Sequence, residues 1–91
     1  MELKTEITPE SFAVVSRGTD VEVVVIRTAT TWVPALTFQS EFQEGRIFAR
    51  IKKQRGGARA FTSLDAAARC LADLEIHTFK IWPWKLHDDA E

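Results

Sequence analysis

The chain has 91 residues, 45% of them hydrophobic and 27% charged, which suits one domain with a modest core and not a disordered tail. Its 12 Lys and Arg against 13 Asp and Glu leave a net charge of -1, so general attraction to nucleic acid or anionic membrane is not expected and any such contact must come from local patterning. The single cysteine, Cys70, excludes an internal disulfide, the longest strand-like apolar run is far below a membrane span, and no apolar leader follows Met1, so the expected setting is a reducing cytoplasm with no membrane partner.

From the start of the chain, "TPESF" (Thr8 to Phe12) has the form of a helix start. Thr8 is the N-cap, Pro9 the first helical residue and Glu10 an acid in the first turn. Gly18 keeps that helix short. "DVEVVVIRT" (Asp20 to Thr28) is rich in β-branched residues and predicts a strand. "ALTFQSEFQ" alternates, with Leu36, Phe38, Ser40 and Phe42 on one face, and Pro34 is expected at its entry or on a sheet edge. "EGR" (Glu44 to Arg46) signals a turn. "RIFARIKK" alternates again, "QRGG" (Gln54 to Gly57) supplies a second turn, and "ARAF" predicts a short return strand.

"TSLDAAARCLADL" carries the clearest helix signal. Thr62 or Ser63 can cap it, and Leu64, Ala67, Ala68, Leu71 and Leu74 form one apolar stripe. "IHTFKIW" (Ile76 to Trp82) predicts a last strand, stopped by Pro83. The expected fold is α+β: an antiparallel four- to five-stranded sheet packed on one principal amphipathic helix, with a short N-terminal helix. Residues 1–91 make a single domain with a frayed tail at 87–91.

No catalytic constellation is visible. Cys70 has no His or Asn near it in sequence and is expected to be a structural thiol whose replacement by Ser costs only stability. His77 and His87 are ten apart and, with one Cys, give no metal-ligand spacing. Asp88 and Asp89 are adjacent and cannot face each other as an acid–base pair. Gly56 and Gly57 precede a strand, not the Lys-Ser/Thr of a phosphate loop. The expectation is therefore a non-enzyme without metal or cofactor.

"RIFARIKKQRGGARAF" is different, because half of the chain's cations fall in it and no Asp or Glu does. With Ile47, Ala49 and Ile51 turned to the helix, Arg46, Phe48, Arg50 and Lys52 share the opposite face; Lys53 and Arg55 enter the turn, and Arg59 shares a face with Phe61. Such cations can contact phosphates, and Phe48 can contact sugar or base edges, or the same surface can meet an acidic protein. The bland alternative is a solvated sheet face. The terminal acids sit on segments expected to fray, which favours a free positive patch. "WPWKL" adds Trp82 and Trp84, either closing the core or forming a protein interface. An open sheet also leaves edges through which a homodimer could pair.

The run "IFARIKKQRGGARAFTSLDAAARCLADL" resembles the strand–turn–strand–helix segment of three-stranded-sheet DNA readers in plants and of the arm-binding domains of phage integrases. Their first strand would correspond to "LTFQSEFQ", which carries no cation. A longer stretch, "RGGARAFTSLDAAARCLADLEIHTFKIW" with "TWVPALTF" before it, resembles small plasmid-borne partition-associated (ParC-like) proteins through Arg59, Phe61, Ser63 to Ala68 and Leu74. The resemblance implies a mobile genetic element as the setting. It also implies an accessory binding role, toward DNA or a DNA-bound partner. A phage- or plasmid-borne inhibitor or adaptor acting on a protein is the alternative.

Overall fold

The structure is a computed structural model that describes residues 3–39 and 46–83. The elements run β1 (Leu3–Ile7), α1 (Pro9–Val15), β2 (Glu22–Arg27), β3 (Trp32–Gln39), β4 (Arg46–Ile51), α2 (Leu64–Asp73) and β5 (Lys80–Pro83). They build one five-stranded sheet in the order β1-β4-β3-β2-β5. The expected α+β class is present, but the sheet is mixed where an antiparallel one was expected. β2, β3 and β4 are antiparallel neighbours, whereas β1 adds parallel to β4 and β5 parallel to β2.

The mixed pairing follows from the two helices. Neighbouring antiparallel strands need only a tight turn, but parallel ones need a crossover, usually helical. β1 reaches β2 through α1 over two intervening strands, and β4 reaches β5 through α2 in the same way. Both crossovers step across the sheet in one direction between parallel strands, so the right-handed rule puts both helices on the same face. Phe12 of α1 and Ala67 and Leu71 of α2 accordingly share one core cluster with Val25, Leu36, Ala49 and Ile51.

The helix caps are local. The Thr8 hydroxyl accepts from the Ser11 amide at 3.2 Å, and Pro9 sits in the first turn, as the sequence predicts. On α2 the cap is Ser63 and not Thr62: its Oγ accepts from the Ala66 amide at 3.1 Å. Past the C-cap Leu74, Glu75 adopts φ 62°, and Ile76 N–H donates back to the Leu71 carbonyl at 2.9 Å. That is a Schellman-type stop in which an ordinary residue takes the place glycine usually fills. The reversal delays β5 to Lys80, four residues later than the sequence reading placed its start.

One strand is added and two further readings are corrected. "LKTEI" becomes β1, held by register to "IFARI", with Thr5 opposite Ala49 and Ile7 opposite Ile51. "ARAF" forms no full strand. Ala58 makes one bridge to Lys52, and Phe61 leaves β4 to exchange backbone hydrogen bonds of 2.7 and 2.9 Å with Trp32. Pro34 lies inside β3 and fully buried, not at its entry. It pairs only with Val25 of β2, because the β4 register begins at Ala35, so the missing N–H costs no ladder bond on the β4 side. Ser40, Phe42, the Glu44–Gly45 turn, Trp84 and the 87–91 tail lie outside the described residues.

Candidate basic interface

The alternation in β4 directs its side chains as the sequence predicts. Ile47, Ala49 and Ile51 face the helices, and Arg46, Phe48 and Arg50 face away. The outward face is nevertheless not a free patch. Phe48 is 1% exposed and belongs to a second apolar cluster with Val24, Ile26 and Ala35, against which Val33 and Trp82 pack. Phe48 and Trp82 meet edge to face, 5.5 Å between centroids and 77° between planes, an arrangement the aromatic quadrupole favours. The expected sugar- or base-contacting aromatic is therefore a core residue. Trp82 closes that second cluster.

The two arginines beside Phe48 are occupied in different ways. Arg46 places its guanidinium 5.9 Å from the Trp82 ring centre, a cation–π contact, while one of its terminal nitrogens is buried with no hydrogen-bond partner. Arg50 pairs with Glu6, its neighbour in the β1 register, and both side chains are less than one third exposed. Glu6 is one of the terminal acids that the sequence alone puts on a segment expected to fray. It stands instead on a strand, because "LKTEI" finds an open edge of β4. Lys80–Glu22, at 2.7 Å, is the other ion pair among the described residues.

The remaining cations gather at one end of the sheet. Lys52, Lys53 and Arg55 are exposed and Arg59 is half-buried, and none of them forms an ion pair among the described residues. Gly56 and Gly57, at φ 89° and 78°, shape this turn. Successive left-handed conformations are open to glycine at little cost. The turn is tied by Lys53 N–H to the Gly57 carbonyl at 2.9 Å and Gly56 N–H to the Lys53 carbonyl at 3.2 Å. Sequence periodicity did not add Arg69 to this group. It is exposed on α2, off the apolar stripe, and only the packing of α2 brings it to the same end of the molecule as Arg59.

Two neighbouring hollows cut into this end. One, about 340 Å³, is lined by Phe61, Ala66, Cys70 and Leu74 with Arg59, Arg69 and Asp73 at its walls. The other, about 380 Å³, lies between Thr8–Glu10 and the Lys52–Gln54 turn, and shares Pro9 and Arg59 with the first. Burial pushes the Cys70 thiol above its ordinary range; Arg59, within hydrogen-bonding reach, works against that shift and Asp73 adds to it. Arg59 is thus the basic partner of Cys70, although it lies eleven residues away in sequence, in the segment between β4 and α2.

Among the described residues no group of three or more His, Cys, Asp and Glu is placed to hold a metal ion, and no helix is long and apolar enough to cross a membrane. No family model, curated protein or solved structure matches this chain.

Proposed function

We propose that this protein is a non-catalytic binding module that contacts DNA, or an acidic surface of a DNA-bound partner, through the basic turn after β4. The observation that supports this is the contrast along one cationic run. Arg46 and Arg50 are taken up by Trp82 and Glu6, whereas Lys52, Lys53, Arg55 and Arg59 carry no ion pair among the described residues. Like charges without ion-pair partners on a short turn repel one another, and a polyanionic partner relieves that repulsion. The plasmid or phage setting rests on the ParC-like resemblance alone. The second reading, a protein-directed inhibitor or adaptor, is supported by the apolar lining beside the same cations.

Duplex binding measured at rising salt tests the proposal. Each phosphate contact contributes roughly -0.9 to the slope of log K against log salt, so a turn that uses three or four cations should give a slope of about -3. Lys53→Glu with Arg55→Glu should abolish binding to duplex DNA or acidic protein and leave the thermal midpoint in place, because both residues are exposed and unpaired. Arg50→Glu with Lys52→Glu should instead lower the midpoint, since it opposes Glu6 with a second carboxylate. Binding that survives the Lys53/Arg55 reversal would remove the turn from the interface.

A further inference from the structure

We infer that the two neighbouring hollows, which share Pro9 and Arg59, form a grooved docking site for an extended acidic peptide segment bearing one apolar anchor. The inference rests on the binding-module reading and names its partner as a protein. Phe61, Ala66 and Leu74 give the first hollow an apolar lining, and its volume of about 340 Å³ accommodates a leucine- or phenylalanine-sized side chain, at the small end of ligand sites. Four cations rim the pair of hollows: Lys52 and Lys53 at one end, Arg59 at the shared wall, Arg69 on α2. Glu10 and Asp73 are the opposing carboxylates, and neither forms an ion pair with those cations. The surplus of positive charge selects an acidic segment, and the apolar hollow gives it register. Duplex DNA would use the cations but leave the apolar lining unfilled, which is why the peptide fits better. Arg59 lines both hollows, so one side chain reaches the apolar lining and the cationic turn alike.

Cys70 lies in the lining and is the one cysteine of the chain, so its alkylation reports occupancy directly. The probe is a synthetic peptide of Asp and Glu around a central Leu, compared with the same peptide carrying Ser in place of Leu, and with a short DNA duplex. The Leu peptide should slow Cys70 alkylation several-fold, and the Ser peptide and the duplex should not. Arg59→Ala should raise the peptide Kd by about tenfold, the scale of an interface anchor. Arg69→Glu, an exposed change that leaves the melting curve in place, should abolish the protection. If the duplex slows Cys70 alkylation as the Leu peptide does, or the peptide binds without protecting Cys70, the turn is an interface and the groove is not its recognition site. Absence of binding by all three probes would overturn both the groove and the binding-module reading.

Discussion

Cys70 shows how one residue reports its surroundings. Its thiol is held neutral chiefly because burial disfavours the thiolate, with Arg59 only partly offsetting that. A folded value above the unfolded one, about 8.5 for a free thiol, means the folded state binds the proton more tightly. The resulting stability is complete below the unfolded value and is lost as pH rises through the folded one. Two outcomes follow. Alkylation of the native protein should be slow at pH 7 and should accelerate only above the pH at which a free thiol does. The stability lost as pH rises above the free-thiol value should become smaller in Cys70→Ser, measured by urea unfolding at each pH. An alkylation profile that matches a free thiol would show that the groove wall does not shield the sulfur. The local sequence points to a structural thiol but not to its Arg59 neighbour, which arrives from the turn after β4.

At the scale of elements, α2 was legible almost to the residue and β1 was not. The stripe in "LDAAARCLAD" names its own buried face: Ala67 and Leu71 are fully buried, Leu64 and Leu74 flank them. Leu71→Ala should therefore cost about 2 to 4 kcal/mol in denaturant unfolding, the usual range for a large-to-small core change, and a loss under about 0.5 kcal/mol would put the stripe on the surface. β1 is five residues with a lysine and a glutamate in it. Its identity as a strand comes from an edge of β4 that stands far away in sequence, and periodicity over so short a span carries little weight. "ARAF" failed for the opposite reason. Its composition suits a strand, but Trp32 captures Phe61 and turns the chain away from β4.

For the whole molecule, the order of strand and helix patterns was enough to give the class, and the meander of β2, β3 and β4 came from alternation and turns. The sheet's parallel edges did not, because they are products of two crossovers whose handedness is a property of chain geometry and not of any residue. The candidate interface divides in the same way. Which cations share a face of β4 follows from period two, but which of them remain unpaired depends on where Glu6 and Trp82 land. Lys52, Lys53, Arg55 and Arg59 could be named from sequence. Arg69 and the groove could not.

The parallel edges also impose an order of events. β2 and β3 are joined by a turn in which Thr28 N–H donates to the Thr31 carbonyl at 2.8 Å, so their pairing closes a short loop. Glu6 and Arg50 are 44 residues apart, and β1 has no partner until β4 is in place. Loop closure of that length is entropically slow to be rewarded, so the central meander should gather first and the N-terminal strand should be zipped on after the rate-limiting barrier. Glu6→Gln should then leave the refolding rate nearly unchanged and speed unfolding, the pattern of a contact absent from the transition state. Native amide exchange should rank the same way, with Val24 and Leu36 slowest and Thr5 among the fastest of the strand amides. A Glu6→Gln chain that refolds markedly more slowly would mean that β1 belongs to the nucleus.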